Sequence, residues 1–480
     1  MKHRNHIRLL IGITLLTMHS LDSMGQSLLT LGEAIRLAQD SAITAFQSRQ
    51  EYRSRQASYE AFEALRKPQL TFSVIPNYTR IVSDPNRDYV YLRNFDILSA
   101  AAGLKLSQKV LPFGGEAFVG TQAIWSEYFR DDATGYPRQF VATPLLVGYS
   151  HSLLGYNPFR WEKQVEDLRL KAAQQQHAYD LRRIAEEAAV RYFHLLRQQR
   201  MLQIREEELR MSDNLYAIAC EKATIAMISV AELRSLEVQR QNAANQLEET
   251  RLEEQKAMSE LTSYLRLKQD PVYTLLLSIP ETPSPSSLTP EEAAMLAEAN
   301  SSAYQQQLAE LAEARRQEDK AHKEKGVNIG LNVNLGLQQV NTTLGRAYTN
   351  QQLYALGSVS VTVPLSDHGA ARKRHAAAVA WTERQESALR EVERRLAEDA
   401  TVTLQKLQKA GAMLDKTLAT ARLADEVFNM TADNYANGIC DMNTYTLALS
   451  RRATAYANYL TTLDAYWTTY YHLQTLIQYE

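Results

Sequence analysis

The sequence predicts a mainly helical chain carrying a membrane-type β-sheet and built as a tandem duplication. Three observations predict it. Residues 159–270 contain neither glycine nor proline, and residues 365–480 contain no proline and only Gly369, Gly411 and Gly438. Compact α/β domains turn too often for such runs, whereas long helices do not. Ahead of each run, short segments alternate apolar and polar residues as strands do. The order helix, strands, long helical hairpin then occurs twice.

The elements follow in order. Lys2, Arg4 and Arg8 precede the apolar run Leu9 to Met18, and Ser23 and Gly25 supply small residues before Gln26. Residues 1–25 read as a secretory signal. Residues 26–67 form a helix in which Thr30 and Glu33 make a capping-box pattern and Pro68 ends the run. Residues 68–156 are strands. Leu70, Phe72 and Val74 alternate with Thr71 and Ser73, Leu104 and Leu106 with Lys105 and Ser107, and Gly114-Gly115 marks a turn. Residues 157–270 start on Asn157-Pro158, an N-cap and a first-turn proline. Unbroken, this helix would be about 170 Å long. A fold-back near 212–229 divides it into antiparallel arms of roughly 80 Å each.

Five prolines between Pro271 and Pro290 mark 271–290 as a linker. The second copy then begins: helix 291–326, strands 327–365, helical hairpin 366–480. Thr289 matches Thr30, Ala293 matches Ala34 and Leu296 matches Leu37 at one offset; NYANGICDMNTY (434–445) aligns with KATIAMISVAEL (222–233) at another.

Composition excludes several classes. The 480 residues hold 53 basic and 55 acidic side chains, a net charge of −2, which speaks against a nucleic-acid partner. Two cysteines, Cys220 and Cys440, exclude a disulfide-dense scaffold; each reads as a small buried hydrophobe, and their pairing stays open. No apolar run of helical-span length follows the N-terminus. The histidines are scattered, and no HExxH, Walker A or GxSxG pattern occurs. No catalytic residue, metal site or cofactor is expected, and the chain does not read as an enzyme.

The strand at 327–337 sets the environment. Val327, Ile329, Leu331, Val333 and Leu335 face one way; Asn328, Asn332 and Asn334, with Gly330 and Gly336, face the other. In a membrane barrel the first set meets lipid and the second lines a watery lumen. Lipid forbids open sheet edges, so a few strands per chain close only with further copies. In the last helix Tyr456, Leu460, Leu463, Tyr470, Leu473 and Ile477 form a heptad-like packing stripe.

The chain resembles the TolC-like outer-membrane efflux proteins over essentially its whole mature length. The resemblance rests on the duplicated order, the junction VTVPLSDHGAARKR (359–374) and the fold-back NYANGICDMNTYTLAL (434–449). It implies a homotrimer with a shared α-helical tunnel and a shared transmembrane β-barrel, four strands from each copy making twelve. It implies an exit duct of a tripartite pump or type I secretion system, in the bacterial outer membrane with helices reaching into the periplasm. Its partners would be a periplasmic adaptor, an inner-membrane transporter and outer-membrane lipid. The strand-like runs between about 97 and 130 are extra. They read as an added hairpin outside the lipid, in preference to two further staves per copy, which would make eighteen. A secreted or periplasmic coiled-coil structural or adaptor protein without a pore is the competing function.

By the same resemblance the inner end of the tunnel narrows at the helical fold-backs. Tyr435 and Gly438 match family positions there, and Glu232 falls where an acidic lock residue is common. Cys440 stands where a basic partner often sits, and Thr444 and Leu447 where paired aspartates often ring the constriction. Asp441 would recur once per copy around the axis, an acidic ring.

Overall fold

A computed structural model describes residues 28–81, 95–111, 114–130, 137–153, 156–225, 227–267, 276–277, 288–437 and 439–478. The signal-like segment 1–25, Gly438 and most of the 271–290 linker lie outside them. By internal contacts the chain divides into two units, one of residues 1–51, 175–301 and 393–480, the other of 52–174 and 302–392.

The first unit is helical. Strand β1 (Leu28–Leu29) pairs in parallel with β6 (Leu276–Leu277). Helix α1 (Leu31–Ser41) starts on Thr30, whose hydroxyl accepts from the Glu33 N–H while the Glu33 carboxylate accepts from Thr30 N–H. Helix α5 (Pro290–Asn300) starts on Thr289 and Glu292 in the same way. The duplication therefore extends to the capping atoms. Each of these helices breaks once, at Ala42 (ψ 142°) and Ser301 (ψ 125°), before α2 (Ile43–Leu65) and α6 (Ser302–Lys323).

Helices α3 (Pro158–Thr224) and α4 (Val230–Tyr264) form the first hairpin, and α8 (Ala370–Ala436) and α9 (Met442–Ile477) the second. The arms are unequal, 67 and 35 residues in the first pair, rather than the matched arms that the sequence suggested. The short arm stops because Arg266 turns left-handed (φ 54°) just after the Leu265 cap.

Alanine and leucine at helical spacing build this unit's core. Ile184, Ala188, Tyr192 and Leu195 of α3, Leu261 of α4, Leu404 of α8 and Leu463, Leu473 and Ile477 of α9 belong to one buried cluster. The Tyr192 hydroxyl donates to the Leu29 carbonyl at 3.0 Å, which satisfies this buried polar atom.

The second unit carries the sheet. Six strands among the described residues run antiparallel in the order β2 (Gln69–Ile81), β3 (Phe95–Val110), β4 (Gly115–Arg130), β5 (Arg138–Ser152), β7 (Asn328–Asn341), β8 (Gln352–Thr362). A four-residue helix α7 (Leu344–Ala347) lies between the last two. The runs at 97–130 are thus not a hairpin apart from the sheet. They are β3 and β4, hydrogen-bonded along their length between β2 and β5. Val327 lies one residue ahead of β7. A Cβ on Gly148 would fall 2.3 Å from the Phe118 ring, so this sheet position needs glycine for close approach.

At the sheet-to-helix junction Asp367 accepts from Gly369 N–H (2.9 Å) and Ala371 N–H (2.7 Å), and Gly369 adopts φ +81°. These two backbone bonds hold the Asp367 carboxyl below its ordinary range. The Asp-x-Gly of the junction motif is therefore a helix start whose aspartate supplies the cap and whose glycine supplies the left-handed turn.

The helical parts of this unit bury Val165, Leu311 and Ala314 and are tied by polar contacts between helices, part-buried at the first two of the following pairs and exposed at the third. The Gln307 amide donates to Gln385 Oε1 (2.7 Å), the Trp161 indole to Asp319 (2.9 Å), and the Tyr59 hydroxyl to Asp167 (2.8 Å).

Candidate functional site

Two places carry the sequence-predicted residues: the faces of the sheet and the fold-backs of the hairpins.

Directly paired residues of an antiparallel sheet share a face, so the register sorts the side chains. One row reads Leu70, Leu106, Val119, Val147, Leu335, Ala355 across all six strands. Its five large members are 37% to 70% exposed. Ile329, Leu331 and Val333 stand on this same apolar face, paired with Val361, Val359 and Gly357. The opposite face holds Asn328, Asn332 and Asn334, paired with Thr362, Ser358 and Leu356. One of its rows reads Lys109, Glu116, Ser150, Asn332, Ser358. Lys105 on this face lies 3.1 Å from Glu116 and above the Phe118 ring. An exposed apolar sheet face this continuous marks a surface made for something other than water.

The fold-backs belong to the helical unit. Residues 225–229 join α3 to α4, and residues 437–441 join α8 to α9. Tyr435 packs on Tyr445 with ring centroids 5.3 Å apart, and the Lys222 ammonium lies 5.1 Å from the Tyr435 ring. Tyr445 also packs on Phe428, and its hydroxyl donates to Met211 Sδ at 3.6 Å. Burial pushes both tyrosine hydroxyls up from their ordinary range. The Cys440 thiol donates to the Thr431 carbonyl. Cys220 and Cys440 are both free and partly exposed rather than buried.

The two acidic residues are held locally. The Glu232 carboxylate accepts from the Ser229 N–H (2.8 Å) and hydroxyl (2.9 Å), and Asp441 accepts from the Thr444 N–H (2.9 Å) and hydroxyl. The Ser229 backbone and hydroxyl lower the Glu232 pKa; the Thr444 hydroxyl and backbone lower that of Asp441. Both stay charged well into acid. Each belongs to a helix cap, and each still points free oxygen surface at solvent. The structure brings Tyr435, Cys440 and Asp441 together at one fold-back.

Sequence reasoning missed one constellation. Arg452 Nε donates to Asp425 at 2.6 Å, its guanidinium lies 3.3 Å from Glu207, and it stacks 4.9 Å above Phe428. Arg240 repeats two of these contacts in the other hairpin, donating to Asp213 at 2.7 Å and lying over Tyr216. The offset is constant (425 − 213 and 452 − 240 both give 212). The repeat alignment at the fold-backs (222–233 with 434–445) has this same offset, so extending it nine residues back and seven forward was the signal that would have found the pair. It was also blind to Trp467, which stacks on Phe193 at 5.2 Å in the core.

Among the described residues no cluster of metal-ligating groups occurs, and no helix is long and apolar enough to cross a membrane. No protein-family model matches the sequence, and no curated protein matches it. Solved structures do. A membrane protein from Pseudomonas aeruginosa superposes with a TM-score of 0.67 at 13% identity, over 93% of this chain and 90% of that one. The Campylobacter jejuni CmeC outer membrane channel gives 0.65 at 12% identity, over 93% and 85%. The Vibrio cholerae outer membrane protein VceC gives 0.66 at 11% identity, over 93% and 95%. The fold is that of the TolC-like outer-membrane channels. In the TolC-like fold of this chain the sheet supplies an apolar face and a polar face, and the hairpins supply two fold-backs with capped carboxylates. This arrangement can bound a passage.

Proposed function

We propose that the protein is the outer-membrane exit duct of a tripartite efflux pump or type I secretion system, a passive conduit for exported solutes. The observation that supports it most is the paired-face sheet: one row of exposed aliphatic side chains crosses every strand, and asparagine, serine and glycine lie behind it. A sheet of that kind is stable where one side meets acyl chains and the other meets water. Copies, taken here as three, close the sheet around Asn328, Asn332 and Asn334, while Ile329, Leu331, Val333 and Leu335 meet lipid. The long helices extend into the periplasm, where an adaptor docks near the fold-backs and an inner-membrane transporter supplies energy. Tyr435, Cys440, Asp441 and Glu232 lie at the narrowed inner end. We take the two repeats as residues 26–270 and 291–480, joined by the 271–290 linker.

Fractionation and planar-bilayer recording test this reading. The protein is expected with outer membranes, to need detergent for release, and to conduct ions in steps. A protein recovered soluble and without conductance overturns it.

A further inference from the structure

We infer that the assembled barrel has eighteen strands, six from each of three copies, with β8 of one copy hydrogen-bonded to β2 of the next. The inference rests on the trimeric reading above and changes its barrel, because the resemblance implies four strands per copy while this sheet has six.

Strands β3 and β4 carry the same face as their neighbours. Ala100, Ala102, Leu104 and Leu106 of β3 stand on the apolar side with Val119, Ala123 and Trp125 of β4. At 16 residues each, they are as long as any strand in the sheet. A hairpin standing in water would put polar residues on that side. On this face, the charged residues of β2 to β5 gather at one end. Arg80 is opposite Asp96 (3.5 Å between charges) and Arg138 is opposite Glu127 (2.7 Å). The ion pairs therefore end the apolar band within one register row of each other across the four strands; Tyr78 lies in the row of Glu127 and Arg138, and Trp125 and Phe140 lie one row inside it, where aromatic girdles lie.

The edges call for a second copy of this chain. Strands β2 and β8 each pair on one side only. Bilayer offers their outward N–H and C=O groups no water, so they must meet strands. An even number of alternating strands leaves the two edges antiparallel, so β8 and β2 of successive copies meet in the favourable sense. The apolar face reaches both edges: Leu70, Phe72 and Val74 on β2, and Leu353, Val359 and Val361 on β8, are all at least half exposed. Pro76 withholds one donor from β2, and its other residues keep theirs.

The consequence is a wide bore. With strands about 4.8 Å apart and tilted about 40°, twelve close a cylinder about 24 Å across, and eighteen one about 36 Å across.

Full-length protein in lipid nanodiscs tests this with three readings. Native mass spectrometry gives the copy number, electron cryomicroscopy gives the strand count, and brominated phospholipid gives lipid contact through Trp125. For the last, W161F, W381F and W467F leave Trp125 as the lone indole. Three copies, eighteen strands and loss of most Trp125 emission are expected. Three copies with a twelve-stranded wall and unquenched Trp125 overturn the inference and leave the duct reading standing. A copy number other than three overturns the trimeric reading and the count of eighteen with it. The strand count on the unmodified chain decides the matter if the three substitutions impair folding.

Discussion

Arg452 reaches across the second fold-back to Asp425, from one arm of the hairpin to the other, with its Nε 2.6 Å from the carboxylate. Its side chain is 19% exposed, whereas the matching Arg240 in the first hairpin is 49% exposed. Arg452→Met leaves Asp425 and Glu207 without their shared cation and is expected to cost about 2 kcal/mol, the scale of a charged hydrogen bond in a part-buried site. Arg240→Met should leave stability unchanged, as solvent-exposed ion pairs contribute little. Urea unfolding of the two variants in one detergent checks the contrast; equal losses would argue against it.

The sheet faces predict an asymmetric response to charge. Leu335 and Asn334 are neighbours in β7 on opposite faces. Leu335→Arg should destabilise the inserted sheet by about 2–4 kcal/mol if it sits near the bilayer midplane, and Asn334→Arg should cost much less. Heat-modifiability on gels, with and without detergent folding, reads both.

Asp441 offers a test of the inner constriction. Asp441→Asn keeps an N-cap acceptor for the Thr444 N–H but removes the charge. If Asp441 recurs around the passage, the variant should lose cation preference in bi-ionic reversal-potential measurements while melting like the parent. Unchanged selectivity places the narrow point elsewhere.

His472 predicts a pH dependence. Its Nδ1 lies 2.8 Å from Glu186, and this hydrogen bond raises its pKa above 6.5 against a partial lowering by burial; Asp399 raises it further and Lys406 opposes. A raised folded-state value means that the imidazolium stabilises the fold fully below pH 6.5 and that this contribution fades as pH climbs through the raised value. The urea midpoint should therefore fall between pH 6 and pH 8.5 in the parent, and less steeply in His472→Gln.

Trp467 and Phe193 stack 11° from parallel, and Trp467 is 4% exposed. Trp467→Ala should cost about 3–5 kcal/mol by opening a core cavity. Trp467→Phe keeps a ring there and also removes an indole N–H that has no partner among the described residues, so it should cost far less. Thermal unfolding orders the variants.

Much of this was legible from residue order, and the gaps have physical causes. Alternation told which way Ile329 and Asn332 face, because side-chain direction in a strand is a local property. It did not tell that Ala102 lies opposite Ala123 and Val74, because pairing partners are set by non-local contacts; the 97–130 runs were therefore detached from a sheet that in fact includes them. Thr30 and Thr289 announced their helices, since a cap is completed within three residues. The breaks at Ala42 and Ser301 carried no proline or glycine to announce them. Glu232 was given a lock role by position; its carboxylate closes a capping box on Ser229, a pattern three residues long that the sequence carries as plainly as it does at Thr30.

The hydrogen-bonded seam between β5 and β7 joins two segments separated by residues 153–327. Four staves leave the ribosome long before the two that complete the set. Throughout that interval the margin holding Val147 and Tyr149 has no strand to zip onto, which makes closing this seam the slow, long-range step in building the sheet.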